Sequence, residues 1–345
     1  AGQEAYIYAL LREMEAVSKN LKKRPVDTVF IGGGTPSVPE CDVMEKLLQG
    51  LRDYFLFSAD AEVTIEANPG TLTPEKFSIY RKYGINRISI GLQSPNNKEL
   101  AMLGRIHNYA QFLESFQMAR AAGFSNINVD LMFAIPGQSY DGWIENLQTV
   151  AALGPEHISA YSLIIEEGTP FFRKKLDLPD EDTEYRMYED VAAVLKEYGY
   201  HQYEISNYAK AGCECRHNEG YWQRKDYLGL GLGAASLLGM ERFSNTADMQ
   251  EYLKNSSAPE KIRKNRELLT REDEMAEFMF LGLRMTQGVS KKEFQEYFGT
   301  AIENIYGEVL KKYKKQGLLL EESGRIFLSR EGIHVSNAVM ADFLL

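Results

Sequence analysis

The feature that most constrains this chain is an alternation of short β-branched, apolar runs with amphipathic stretches. Val26–Ile31, Glu62–Glu66, Arg87–Leu92, Ile127–Phe133, His157–Ile164 and Tyr200–Ser206 read as strands. Between them lie helical stripes: Met44, Leu47, Leu48 and Leu51; Trp143, Leu147, Val150 and Ala151; Tyr188, Val191, Ala192 and Leu195. Strands joined by single crossover helices pair in parallel, because a parallel neighbour cannot be reached through a tight turn. Periodicity alone leaves open a closed or partial barrel and a doubly wound open sheet. The strand ends favour a barrel, since Glu66, Gln93, Asp130 and Gln138 fall where a barrel gathers its mouth. The candidate strands are too few for a full barrel of eight. An opening helix with Ile7, Leu10, Leu11, Met14 and Val17 on one face implies that a preceding strand is missing.

The 345 residues suffice for two domains of ordinary size. From about Leu253 the texture changes, with Ser256-Ser257-Ala258-Pro259 as a boundary loop. Thr270, followed by a carboxylate at Asp273, opens a helix with Phe278, Leu281 and Met285 on its apolar side. Helices over Lys291–Phe298 and around Ile302, Ile305, Val309 and Tyr313 follow. Leu318–Leu320 and Ile326–Leu328 then flank Glu322-Ser323-Gly324-Arg325, a hairpin turn. Helices followed by a hairpin make a winged-helix pattern. Lys311, Lys312, Lys314 and Lys315 invite a nucleic-acid reading, but 39 basic against 49 acidic residues leave a net charge of −10. A phosphate-binding surface needs a basic field, so these lysines read as a solvated helix face. No run is long and apolar enough for a membrane helix. The 3 cysteines, Cys41, Cys213 and Cys215, form no C-x-x-C and suit a reducing compartment, which places the chain in the cytoplasm.

Four stretches carry chemistry. Gly32-Gly33-Gly34-Thr35-Pro36 directly follows the first strand. Consecutive glycines are entropically expensive and pack nothing, but they admit a ligand close to backbone amides. A plain tight turn is the alternative. Glu66, Gln93 and Asp130 lie at or near the ends of apolar strands, and a carboxylate there is costly unless paired or facing a site. Structural ion pairs with Arg87 or Arg105 are the competing explanation. Phe133-Ala134-Ile135-Pro136-Gly137-Gln138 sets a turn at the same mouth. His217-Asn218-Glu219-Gly220-Tyr221-Trp222 follows Cys213-Glu214-Cys215-Arg216 in a stretch that reads as loop. There an imidazole beside two aromatic residues can ligate or stack a porphyrin, or simply be solvated.

In order, Gly-Gly-Gly-Thr-Pro, Thr-Ile-Glu-Ala-Asn-Pro, Ser-Ile-Gly-Leu-Gln-Ser, Leu-Gly-Arg, Asn-Val-Asp-Leu-Met-Phe, Ile-Pro-Gly-Gln and His-Asn-x-x-Tyr-Trp run along nearly the whole chain. This set resembles the radical S-adenosylmethionine family, in the branch that holds oxygen-independent coproporphyrinogen III oxidase and a haem chaperone. The resemblance implies a partial (β/α)6 TIM-type barrel over residues 1–240 and a HemN-type C-terminal domain over 241–345. It implies S-adenosylmethionine contacts at Gly33, Gly34, Thr35, Glu66, Gln93, Arg105 and Asp130. His217, Asn218, Tyr221 and Trp222 are the haem-binding candidates, and their motif points to the chaperone, with haem-accepting proteins as partners. Radical oxidative decarboxylation of coproporphyrinogen III propionates is the alternative activity. The family's [4Fe–4S] signature, C-x-x-x-C-x-x-C, is not in this sequence, and its expected position lies upstream of Ala1. A missing first strand, methionine and cysteine triad would then share one explanation, an absent N-terminal segment.

Overall fold

A computed structural model describes residues 2–19, 21, 24–169 and 171–345. The chain packs as two compact units that interleave in sequence, one formed by 28–41 with 62–214 and the other by 1–27, 42–61 and 215–345.

The first unit is built on a sheet whose central strands are parallel. Its strands are β1 (Val26–Ile31), β2 (Phe57–Ala67), β3 (Arg87–Gln93), β4 (Ile127–Phe133), β5 (His157–Ser162), β6 (His201–Gln202) and β7 (Asn207–Ala209). They lie in the order β1-β2-β3-β4-β5-β7-β6. β2 to β5 pair in parallel, with Thr64 opposite Arg87, Ile88 opposite Ile127 and Asn128 opposite His157. Every residue of β3 is buried, as expected of a central parallel strand covered on both faces. The crossover helices start on side-chain caps: Thr73, Asn108, Ser139 and Asp180 each accept from a backbone N–H of the first turn. The helices bury Phe77, Phe112 and Trp143 against the sheet, and the Trp143 indole donates to the Met187 carbonyl at 2.9 Å.

The last strand differs from the sequence expectation. Tyr200–Ser206 is not one strand. The chain reverses within it: the Tyr203 N–H donates to the Asn207 carbonyl at 3.2 Å and the Ser206 N–H to Glu204 Oε1 at 2.8 Å. β7 consequently runs antiparallel to both β5 and β6. The curled parallel sheet with its helices is nonetheless the partial-barrel α/β architecture expected.

The second unit contains the helix Gly2–Ser18, whose Glu13 is buried and accepts from Tyr252 Oη, Asn245 Nδ2 and the Gly231 N–H. An antiparallel sheet of β8 (Ala235–Leu238), β9 (Glu241–Asn245) and β10 (Arg263–Leu268) belongs to it. The winged-helix pattern follows as expected. The helix Arg271–Gly282 starts on a Thr270–Asp273 capping box. β11 (Val289–Ser290) leads into the helices Lys291–Phe298 and Ile302–Lys315, and β12 (Leu319–Glu322) and β13 (Arg325–Leu328) form the hairpin. Its turn places Ser323 at φ 51° and Gly324 at φ 75°, as the tight primed turns require. The helix Ile302–Lys315 buries Ile302, Tyr306, Leu310 and Tyr313, while the expected core residue Ile305 is exposed. Lys312 pairs with Asp342, and Lys314 with Glu321.

Gly288 stands at φ 61°, and a Cβ there would lie 2.0 Å from the Ile326 carbonyl oxygen. Gly288→Ala should therefore cost at least about 2 kcal/mol, because left-handed strain and a backbone clash combine. A urea midpoint unchanged from the parent would contradict this account of the hairpin.

Candidate functional site

Parallel register brings the strand-end polar groups together. Glu66 of β2 lies opposite Ser89 of β3, and Gly91 of β3 opposite Asp130 of β4. A cavity of about 310 Å³ opens above them, lined by Gly34, Thr35, Pro36, Glu66, Ala67, Asn68, Ser89, Gly91, Gln93, Arg105 and Asp130. Of the cofactor candidates read from sequence, Gly34, Thr35, Glu66, Gln93, Arg105 and Asp130 line it. Gly33 stands beside them, its N–H donating to Glu66 Oε2 at 3.2 Å. Gly33 and Gly34 have φ of 80° and 67°, and a Cβ on either would enter open space. The glycines thus answer a backbone requirement rather than a packing one. Gln93 also has a positive φ, 75°, where the β3–β4 register shifts past Gly91. Gln138, grouped with the strand-end polar residues by sequence, does not line the cavity. Its Nε2 donates to Glu99 Oε2 at 3.0 Å, a carboxylate that also accepts from Ser94 and Asn146.

The electrostatics of the cavity are unbalanced. Its lining includes two carboxylates and one guanidinium. Burial raises the Glu66 carboxyl above its ordinary range, the Asp130 charge adds to the rise, and the Gly33 N–H opposes it. Burial also raises Asp130, opposed by hydrogen bonds from Asn128 and Ser89 and by the Arg87 charge. Burial lowers the Arg105 guanidinium, while Asp130 holds it up. Asp130 is therefore anchored by neutral donors, Ser89 Oγ at 3.2 Å and Asn128 Nδ2 at 2.8 Å, with the arginines acting through space.

Behind Asp130 runs a buried relay. Asn128 Nδ2 serves Asp130 and Ser89, so its Oδ1 is the acceptor facing His157 Nδ1 at 2.6 Å and Ser159 Oγ at 3.1 Å. His157 must then carry its proton on Nδ1 and accept at Nε2 from Tyr203 Oη, 2.8 Å away. Burial pushes the imidazole well below its ordinary value, in keeping with this neutral tautomer. On the opposite wall, Asn68 Nδ2 donates to Thr35 Oγ1 at 3.1 Å. The buried Lys76 ammonium joins two wall loops, donating to the Ser37 carbonyl at 2.6 Å and the Thr71 carbonyl at 2.9 Å.

Asn68, Ser89 and Gly91 escaped the sequence reading. Strand period supplied a signal for two of them, because residues 89, 91 and 93 share one face of β3. Asn68 had the weaker signal of standing two residues beyond Glu66.

The second candidate stretch folds differently from expectation. Arg216–Trp222 is a helix, not a loop, with Cys215 at its N-cap. Helical spacing stacks His217 on Tyr221. His217 Nε2 lies 2.9 Å from Tyr221 Oη, with the rings edge to face at 4.8 Å. Tyr221 in turn meets Tyr227 edge to face at 4.7 Å. The Arg284 guanidinium lies 4.3 Å from the centre of the Trp222 ring, and Trp222 Nε1 is buried without a hydrogen-bond partner. Asn218 lies on the same helix, with its side chain half-buried. Among the described residues, no group of three or more His, Cys, Asp or Glu side chains is placed to hold a metal ion.

Comparison with known proteins gives the following. The radical SAM superfamily model matches residues 2–150, and the HemN C-terminal domain model residues 269–335. The Heme chaperone HemW of Bacillus subtilis (strain 168) is 36% identical over 346 residues, spanning 99% of this chain and 91% of that protein. The Heme chaperone HemW of Escherichia coli (strain K12) is 35% identical over 337 residues, spanning 94% and 88%. Among solved structures, coproporphyrinogen III oxidase (HemN) from Escherichia coli superposes with a TM-score of 0.87 over 99% of this chain and 83% of that one. Its identity of 22% makes this a likeness of fold.

The raised carboxyls set a pH dependence. The folded chain keeps protons that the unfolded chain releases above about pH 4, so stability falls as pH rises from there through the raised values. Glu66→Gln removes one share of that fall and keeps an acceptor for the Gly33 N–H. Relative to the parent, the variant should gain up to about 1 kcal/mol between about pH 4.5 and about pH 7.5. Calorimetry at the two pH values checks this; parallel melting temperatures would rule out a desolvated Glu66.

Proposed function

Because this chain belongs to the heme chaperone HemW family of the radical SAM superfamily, we propose that it binds haem for delivery to an acceptor protein. The observation that carries the proposal is His217, an imidazole on the same helix as Tyr221 and Trp222, within a chain similar to HemW proteins along nearly its whole length. Histidine is a common haem-iron ligand, and aromatic rings offer apolar faces to a macrocycle. The fold likeness to HemN supports the scaffold and carries no activity with it. The matched ranges 2–150 and 269–335 fall on either side of residue 240, in support of a radical SAM region within 1–240 and a HemN-type region within 241–345, although by packing residues 1–27, 42–61 and 215–240 belong to the same unit as 241–345.

The cavity of the first unit fits S-adenosylmethionine. Two glycines with open space above them leave backbone exposed, two carboxylates face one arginine, and Asn68, Ser89 and Gln93 add neutral polar groups. Gly33, Gly34 and Thr35 would hold the cofactor by backbone and hydroxyl. Glu66 and Asp130 suit its ammonium and ribose hydroxyls, Arg105 its carboxylate, and Gln93 its remaining polar edge. When bound beside a reduced iron–sulfur cluster, S-adenosylmethionine is a source of the 5′-deoxyadenosyl radical. Cys41, Cys213 and Cys215 do not form the ligand set that such a cluster needs. Cysteine usage supports a reducing, cytoplasmic setting. Among the described residues, no helix is long and apolar enough to cross a membrane.

Two measurements test these assignments separately. Ferric haemin titrated into the protein should give a Soret shift that His217→Ala abolishes or weakens at least about tenfold. Equal affinity and an identical spectrum in the variant would remove His217 as the ligand. S-adenosylhomocysteine binding, followed calorimetrically, should weaken about tenfold or more in Arg105→Ala, which loses a charge-assisted contact to the ligand carboxylate. Unchanged affinity would take the cofactor out of this cavity.

A further inference from the structure

We propose that Tyr221 is a positioning residue for haem capture: its phenol holds His217 by Nε2, and this contact must break before iron is bound. The inference rests on the haem-binding assignment to His217 and adds what controls access to that ligand.

The geometry is specific to one atom. Nε2 lies 2.9 Å from Tyr221 Oη. If the phenol donates, its proton occupies the Nε2 lone pair. If the imidazole donates, Nε2 carries the proton itself. Iron needs a bare, neutral lone pair on that nitrogen, so both arrangements exclude coordination. Nδ1 adjoins the ring carbon that bears Cβ, and a planar macrocycle bonded there would run into the histidine's own backbone. Nε2 is the ring nitrogen farther from Cβ.

The phenol is itself held in place. His217 and Tyr221 are four residues apart on Arg216–Trp222, which sets their rings side by side. Tyr227 packs edge to face with Tyr221, with centroids 4.7 Å apart and planes at 89°. Tyr227 comes from a different segment, whose backbone N–H and carbonyl both pair with Leu237 of β8. The Tyr221 ring is therefore buttressed from outside its own helix. The contact is nonetheless a single hydrogen bond, weak enough to be exchanged for an iron–nitrogen bond. Such a contact masks Nε2 when haem is absent and yields when haem arrives.

Stopped-flow and equilibrium titrations with ferric haemin on the full chain test this. Tyr221→Phe keeps the ring and deletes the hydroxyl. It should bind haemin about threefold to tenfold faster and more tightly, the range set by one hydrogen bond. Its bound-state Soret maximum should match the parent's, because the iron ligand is the same. Tyr227→Leu leaves the phenol but removes its buttress, and should give a smaller acceleration; it carries the test if Tyr221→Phe does not fold. Slower or weaker binding in Tyr221→Phe would overturn the proposal, and loss of a phenolate-to-iron charge-transfer band would make Tyr221 a ligand instead. Rates and affinities equal to the parent's would overturn it too. His217→Ala separates the two levels. If that variant binds haemin normally, the ligand assignment itself fails. If it loses haemin while Tyr221→Phe matches the parent, only the positioning role falls.

Discussion

Parallel strand register is the constraint on which the cavity depends. Glu66, Ser89, Gly91 and Asp130 come from three segments far apart in sequence, and pairing alone sets them side by side. A slip of one residue in β3 would turn Ser89, Gly91 and Gln93 to the other face, taking with them Asp130's donor and the close approach at Gly91. That close approach is tight already. A Cβ on Gly91 would lie 3.2 Å from both Asn68 Oδ1 and Gln93 Nε2. The apolar residues between these polar ones, Ile88, Ile90 and Leu92, are wholly buried and make such a slip costly. The core therefore enforces the site, although none of its side chains takes part in it.

Holding two carboxylates at a partly desolvated surface has a cost, and the surroundings show how it is contained. Asp130 is served by Ser89 and Asn128, Asn128 by His157, and His157 by Tyr203. Each donor is fixed by a partner further from the cavity, so the acceptor geometry is set before any ligand arrives. The opposite wall uses a different device. Lys76 spends its ammonium protons on main-chain carbonyls of two loops, which ties the segment behind Thr35 to the one behind Asn68. Arg105 then remains the counter-charge within the cavity. This polarity suits a zwitterionic ligand that also carries a positive centre.

The sequence made the sheet legible because burial on both faces leaves long apolar runs, and the crossover helices legible because their caps and stripes are local. β1, β3 and β4 lie where periodicity put them. What failed depended on contacts made elsewhere. The reversal inside Tyr200–Ser206 is stabilised by Glu204 and Asn207, which no period encodes. The sheet of β8, β9 and β10 was missed because its strands are short and β10 is polar and exposed almost throughout. Arg216–Trp222 was read as loop because Asn218 and Gly220 are poor helix formers. Its tertiary aromatic contacts outweigh that propensity. The cofactor candidates were largely recovered because strand ends are visible in sequence. Asn68 was not, because its position is set by a turn.

The two candidate sites differ in how firmly their polar groups are held, and the difference matches what each is proposed to bind. Around the cavity, Asp130, Asn128 and Thr35 are each tied to a partner that is itself tied, so a cofactor would meet a prepared surface and little must move. At His217 the nitrogen that would meet iron is engaged by a neutral phenol, and the phenol is steadied by one ring edge. A ligand that is to be handed on is better served by the second arrangement. In the proposed site the Nε2 atom would exchange its contact with the phenol for one with iron, and the phenol would return to it on release of haem. Tight preorganisation would deepen binding and slow release together, because affinity in closely related complexes is set mainly by the off-rate. The local contact on Arg216–Trp222 would thus provide what the parallel sheet does not: a site suited to being emptied.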